Sequence, residues 1–279
     1  MIYDLKKRAE EELVNNLGPF WLKLIDNENG GFYGEVTYDL KINKKSEKGG
    51  IQTSRILWFF SAAYCATKNE EYKKAATNAY EFLRDKLIDE EFKGVYWMVD
   101  YLGNPIDTRK HIYCQSFAIY ALSEYYKATK NEEALNLAME LFELIEGVGF
   151  NKENSAYLEE FDREWNITPN EMLSENGVIA EITTNTHLHV LECYTTLYEI
   201  TKNEAVGEKL KNLIYTFYNK IYDKENHFLK IFFDGNWNTI IDVKSYGHDI
   251  EASWLIDGAY KVLNFKDEDI GLRIIDLGY

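Results

Sequence analysis

The tetrapeptide Thr-Lys-Asn-Glu occurs three times, beginning at Thr67, Thr129 and Thr201, so the copies are 62 and 72 residues apart. Each copy closes one helical pattern and opens another. Self-similarity at a long fixed period marks an architecture built from stacked supersecondary units. The surroundings recur with it. Upstream of the copies lie the β-like stretches Gly31-Phe32-Tyr33-Gly34, Gly94-Val95-Tyr96-Trp97 and Ala156-Tyr157-Leu158, and a fourth covers 227–233. Asp234-Gly235-Asn236 follows that last stretch between β-rich runs, a strong hairpin signal, and 100–104 makes a weaker turn of the same kind. The predicted unit is therefore hairpin, helix, tight turn, helix.

The two helices of a unit differ in character. The segments 56–66, 117–126, 188–200 and 252–263 are apolar nearly all round, which predicts burial. The segments 70–87, 131–145 and 204–221 are apolar on one face and charged on the other, which predicts an outer position. A further helix is expected over 3–25. An inner ring of buried helices wrapped by amphipathic ones accounts for both patterns, with an open helical solenoid as the alternative. Eight helices make about four pairs, whereas a closed barrel of six pairs at about 65 residues each needs about 390 residues. The expectation is thus a single all-α domain over 1–279, a toroid of paired inner and outer helices holding about four of six pairs, with short β-hairpins at one end.

Charge and cysteine usage narrow the partners. The formal charge is −16 with no basic run, which argues against nucleic acid and against an anionic membrane surface. No apolar stretch is long enough to span a bilayer, and the start carries no signal-peptide core. Cys65, Cys114 and Cys193 are odd in number and lie in apolar helical contexts, so they read as free thiols in a reducing, cytoplasmic compartment.

Candidate chemistry sits where the inner helices begin. Arg55 opens the first, Tyr113, Gln115 and Phe117 the second, Asn185 and His189 the third, and His248 and Glu251 the fourth. The same repeat position would then supply a cation, amides and two imidazoles to one cavity. Arg55 alone reads better as an ion-pair partner in this acidic chain, Asn185 equally well as a helix cap, and His189 alone more often as a satisfied core histidine than as a catalyst. His248 adjoins Asp249 and Glu251, which are placed to orient its ring. Trp58, Tyr113, Phe117 and Trp254 offer aromatic faces of the kind that receive the apolar side of a sugar. His187 and His189 are two apart and point in different directions on a helix, and no cysteine pair or HExxH run exists, so no metal site is expected. No glycine-rich phosphate loop and no Gly-x-Ser-x-Gly elbow occurs.

Six segments carry a resemblance to a known family. They are 30–34, Arg55-Ile56-Leu57-Trp58-Phe59-Phe60-Ser61, 94–101, 116–126, Asn185-Thr186-His187-Leu188-His189-Val190-Leu191-Glu192 and Ser245-Tyr246-Gly247-His248-Asp249-Ile250-Glu251-Ala252-Ser253-Trp254. In collinear order they resemble the cellobiose 2-epimerase branch of the N-acylglucosamine 2-epimerase superfamily. The resemblance implies an (α/α)6 barrel and cofactor-independent epimerisation at C2 of the reducing-end glucose of a β-1,4-linked disaccharide, through an enediol. It implies His248 as acid/base at C1 and C2, with His189 and Asn185 on the opening sugar oxygens. Arg55 would meet the enediolate charge, and Tyr113, Glu251 and Trp254 would contact substrate. The family also carries a histidine near its C-terminus and tryptophans that close the pocket, and no His or Trp follows Trp254 here. Lack of the C-terminal part predicts uncovered apolar edges and self-association. Three readings stay open: an epimerase or mannose-type aldose–ketose isomerase, a non-catalytic sugar-binding or interaction remnant, and a glycosidase using paired carboxylates such as Asp249, Glu251 and Glu192.

Overall fold

Equal helix lengths express the repeat in three dimensions. The computed structural model describes residues 2–171 and 178–266, so the closing stretch 276–279 lies outside the described residues. The N-terminal helix expected over 3–25 is α1 (Ile2–Glu12) and α2 (Gly18–Leu22), joined by the π-type turn Leu13–Leu17. The buried series is α3 (Gly50–Thr67), α5 (Ile112–Thr129), α7 (Thr184–Thr201) and α9 (Tyr246–Leu263), each of 18 residues. The amphipathic series is α4 (Glu70–Phe82), α6 (Glu132–Leu144) and α8 (Glu204–Thr216), each of 13 residues. Each of these runs on into a five-residue π-type turn, Leu83–Leu87, Ile145–Gly149 or Phe217–Ile221. The i→i−5 bond there, such as Ile88 N–H to Leu83 O at 3.2 Å, closes the helix and releases an extended chain.

The inner helices begin four to six residues earlier than the apolar runs suggest. Their first turns carry polar residues, which an apolar-periodicity count discards although the backbone is already helical. The connecting segments explain the unequal spacing of the repeat. Segments 88–111 and 222–245 have the same length, and 150–183 is ten residues longer, which is the difference between the 62- and 72-residue periods.

The repeated tetrapeptide is a helix-reversing turn in which every donor has a partner. The threonine hydroxyls of Thr67, Thr129 and Thr201 each donate to the carbonyl four residues back at 2.7 Å. Each then accepts the following asparagine N–H at 3.2–3.3 Å. The lysines take left-handed backbone, with φ of 58°, 61° and 49° at Lys68, Lys130 and Lys202. Their N–H groups donate to Tyr64, Tyr126 and Tyr198 carbonyls at 2.8–2.9 Å, the usual bond of a left-handed helix C-cap. Glycine is the common residue at such a cap. Here each lysine ammonium lies over the ring of the same tyrosine, at 5.3, 5.0 and 4.8 Å, which offsets part of the strain. The asparagine side chain finally caps the next helix, Asn203 Oδ1 accepting Ala205 and Val206 N–H at 2.9 and 3.3 Å. A fourth left-handed cap, Asn264 at φ 49°, ends α9.

The hairpin tips recur as well. Asp100, Asp162 and Asp234 each accept two backbone N–H groups with Oδ1 and the side-chain amide of an asparagine four residues on with Oδ2. The turn at 100–104 is therefore as fully bonded as that at 234–238. The left-handed residue of the latter is Trp237, φ 68°, and not Gly235, so the loop is five residues from Asp234 to Asn238 and not a two-residue Asp-Gly hairpin.

The chain forms two compact units, 1–108 with 121–138 and 109–120 with 139–279. In the first, α3 and α4 pack as a hairpin around stacked Phe32 and Phe60, 5.6 Å between centroids, with Tyr72 beside them. Lys48 is buried there, bonded to Asp26 at 2.7 Å and Gly30 O at 2.8 Å, so its charge is paired and hydrogen-bonded. Strand Lys48–Gly49, which leads into α3, pairs antiparallel with Met98–Val99, and that with Pro105–Asp107. In the second unit α7 packs on α8 and α9. Strand Lys110–His111, which leads into α5, pairs with Glu160–Phe161, and Ile182–Thr183, which leads into α7, pairs with Phe232–Phe233. A short strand thus sets where these inner helices start. No described helix is long and apolar enough to cross a membrane.

Replacing Asn203 by Ala removes the acceptor for two N–H groups at the start of α8. The unfolding free energy from urea titration is expected to fall by about 1 kcal/mol, and Asn203→Asp is expected to retain most of it. An unchanged midpoint in Asn203→Ala would show that water replaces the cap without cost.

Candidate active site

Counted from their first residues, the four 18-residue inner helices place their side chains in equivalent positions. The sixth residues are Arg55, Phe117, His189 and Glu251, and the ninth are Trp58, Tyr120, Glu192 and Trp254. Tyr113 and Asn185 share the second position. This corrects one expectation: the two histidines are not equivalent in the repeat, since His189 is sixth in α7 and His248 third in α9. They reach their helices' polar faces by different routes. Arg55 belongs to the first unit, where it is exposed on α3.

Within the second unit, α5 and α7 bring Tyr113, Phe117, His189 and Glu192 together. The His189 ring lies 4.5 Å from the Phe117 ring at 40° and 4.9 Å from Tyr113, edge to face at 85°. The two aromatic rings meet each other at 4.9 Å. His189 is 6% exposed, and its Nδ1 lies 2.9 Å from Glu192 Oε2. A carboxylate only accepts, so Nδ1 carries the hydrogen and Nε2 is left as the nitrogen that can exchange a proton. Two aromatic walls and one carboxylate therefore fix the position, the tilt and the tautomer of this imidazole. Its neighbour His187 is a core histidine with both ring nitrogens bonded. His187 is fully buried, donates from Nδ1 to Thr183 O at 2.8 Å and accepts Tyr157 N–H on Nε2 at 3.1 Å. Burial holds it neutral and pushes its pKa down to about 4.

Asn185 stands one turn before His189 on α7 and is not the helix cap. Thr183 is, its hydroxyl accepting Thr186 N–H at 3.1 Å. Asn185 is half-buried. On α9, His248 is half-buried, and its Nδ1 is enclosed with no hydrogen-bond partner among the described residues. Asp249 does not orient it. The Asp249 carboxylate accepts Leu229 N–H at 2.9 Å and ties α9 to the preceding hairpin, and burial raises its pKa. Glu251 is half-buried, and Trp254 is 57% exposed on a face that also shows Tyr246 and Ile250.

Glu192 is the residue that sequence reasoning passed over as a site group, considering it only as a possible glycosidase carboxylate. The signal was available as its spacing of three from His189, which puts the two side chains on one helix face. What hid it was the wrong helix start: counted from Thr184, Glu192 falls into the same row as Trp58 and Trp254.

The family model for N-acylglucosamine 2-epimerase (GlcNAc 2-epimerase) matches residues 31–266. A cellobiose 2-epimerase of Dictyoglomus turgidum is 48% identical over 260 residues, 93% of this chain and 66% of that protein. One from Ruminococcus albus is also 48% identical, over 96% of this chain and 68% of that protein. The chain therefore spans about two thirds of the length of these relatives. The structure of cellobiose 2-epimerase from Bacillus thermoamylovorans superposes with a TM-score of 0.96 at 54% identity, covering 99% of this chain and 71% of that one. The all-α class of α/α-barrel type with interspersed hairpins, expected from the repeat, is the class of that fold.

Glu192→Ala removes the acceptor that selects the His189 tautomer. Nitrogen NMR of the imidazole is expected to show a single Nδ1–H form in the native chain, a mixture in Glu192→Ala, and the native pattern in Glu192→Gln, which keeps a carbonyl oxygen. A native spectrum in Glu192→Ala would remove Glu192 as the orienting group.

Proposed function

The chain belongs to the N-acylglucosamine 2-epimerase family, and on that premise we propose that it epimerises C2 of the reducing-end glucose in β-1,4-linked disaccharides such as cellobiose. The observation that carries the reading is the His189 imidazole, walled by Tyr113 and Phe117 and held in one tautomer by Glu192. Aromatic faces suit the apolar side of a pyranose, and a fixed ring nitrogen suits one of its oxygens.

The reaction follows from what those groups can do. Ring opening exposes a C1 aldehyde, which acidifies the proton on C2. A base removes that proton, and the electron pair moves onto the C1 oxygen to give an enediolate. Return of a proton to the other face of C2, from a water molecule or another acid on that face, gives the mannose configuration. No electron is lost and no cofactor is called for. Imidazole is suited to both transfers because its unperturbed pKa lies near neutrality. His248 is assigned the proton transfers at C1 and C2, while His189 and Asn185 hold the sugar oxygens that change charge. Glu251 and Trp254, on the same helix as His248, are assigned substrate contacts. Three free cysteines, two of them buried, support a reducing cytoplasmic compartment for this activity.

Proton NMR of cellobiose with the chain in heavy water tests the proposal. Deuterium at the reducing-end C2 with growth of mannose-type signals is expected. His248→Asn is expected to slow that exchange by about 100-fold or more with little change in cellobiose affinity. Ketose signals would replace the epimerase reading by an isomerase. Absence of exchange from the folded chain would overturn an enzymatic reading altogether.

A further inference from the structure

Two buried titratable residues beside the candidate site take no part in the chemistry proposed above. Glu159 is 3% and His111 1% exposed. Glu159 touches the start of both helices that build the site. Its backbone carbonyl accepts the N–H of Ile112, the first residue of α5, at 3.0 Å. Its carboxyl Oε1 accepts the N–H of Thr183, the N-cap of α7, at 2.7 Å, and Oε2 meets the Thr186 hydroxyl at 2.6 Å. His111 completes the arrangement. Its Nδ1 accepts Tyr113 N–H at 3.2 Å, and its Nε2 meets Asn170 Oδ1 at 3.3 Å. Asn170 in turn donates to Ala180 O at 3.4 Å.

These contacts decide the charge state. A ring nitrogen that accepts an N–H carries no proton, so His111 is neutral, with its hydrogen on Nε2 for Asn170. Burial agrees, pushing its pKa down to about 4. Among the described residues no charged cation pairs with Glu159: His111 Nε2, 3.8 Å away, is neutral, α7 meets the carboxyl through the Thr183 N–H and the Thr186 hydroxyl, and Arg109 is paired with Glu160 at 3.3 Å. An uncompensated carboxylate in an apolar interior takes up its proton, and burial pushes this carboxyl up to about 8. The contact to Thr186 serves either form, because a hydroxyl both donates and accepts.

We infer that Glu159 and His111 are positioning residues for the candidate site: the Glu159 carboxyl anchors the first turn of α7, which presents Asn185 and His189, and the His111 imidazole anchors the first turn of α5, which presents Tyr113. The inference rests on the reading of these two helix faces as the sugar site. Asn185 sits between Thr183, the N-cap of α7, and Thr186, both of which Glu159 holds, and His189 follows Thr186 by less than one turn. Loss of the anchor therefore moves the ring nitrogen and the amide together, without removing any group that would touch sugar.

Hydrogen exchange of backbone amides in the unliganded chain, with nitrogen NMR of His189, tests this without sugar. Glu159→Ala is expected to raise exchange at Thr183 and Thr186 by more than about tenfold, to disturb the His189 ring signals, and to leave α8 amides unchanged. Glu159→Gln mimics the protonated acid, with its carbonyl for Thr183 and its NH2 for Thr186, and is expected to restore both readouts. The pH profile supplies a signature that mere packing lacks. A folded-state pKa raised above the unfolded value means stability is fullest below about 4.5 and declines as pH rises toward about 8. The native chain should therefore lose stability relative to Glu159→Gln across that window, and its α7 amides should loosen on passing the upper limit. If Glu159→Ala does not fold, the Gln variant and the native pH profile decide. Native-like exchange in Glu159→Ala, failure of Glu159→Gln to restore the His189 signals, or a flat pH difference would each overturn the inference. An inactive native chain with intact anchoring would instead count against the epimerase reading alone.

Discussion

A helix that reverses into its neighbour must satisfy its last carbonyls and the next helix's first N–H groups within a few residues, and here one four-residue solution does so three times. The threonine hydroxyl returns to the helix it ends, the lysine N–H closes the left-handed cap, and the asparagine starts the next helix. This turn fixes the far end of every buried helix it follows. A two-residue strand fixes the near end in α3, α5 and α7. With both ends set, 18 residues always separate them, and a residue's count from the start determines the direction in which it points. The equivalent positions of Arg55, Phe117 and His189, and of Trp58, Tyr120 and Glu192, are consequences of that constraint.

The histidines show how hydrogen bonding separates structural from chemical roles. His111 and His187 each accept a backbone N–H on one ring nitrogen, which keeps them neutral and uses them to hold strand ends and helix starts. His189 donates to a carboxylate and keeps the other nitrogen directed away from that bond. His248 has an enclosed Nδ1 with no partner among the described residues. His111 lies on the strand that leads into α5 and the other three on helices, and the partner of each ring nitrogen tells them apart.

Much of the fold is legible in the chain itself. The repeat, the pairing of an all-round apolar helix with a one-faced one, and the hairpins before each pair follow from composition and period. The family likeness also rests on residues visible in order along the sequence. What periodicity missed lies at helix starts, where polar residues such as Thr184 and Tyr246 are helical but not apolar. That error shifted the register, placed His189 and His248 as equivalents and left Glu192 out of the site. It also assigned Asp249 to His248, although a backbone N–H from the preceding hairpin had the stronger geometric claim.

Sequence alone therefore determined the architecture, because a turn made of four consecutive residues and a helix with a given apolar stripe are local matters that short-range bonds settle. Which histidine holds which proton, and whether Glu159 bears a charge, was decided only by the tertiary structure. A carboxyl's ionisation depends on whether a cation or an apolar wall stands beside it, and the groups that surround Glu159 come from residues as far away in the chain as His111 and Thr186.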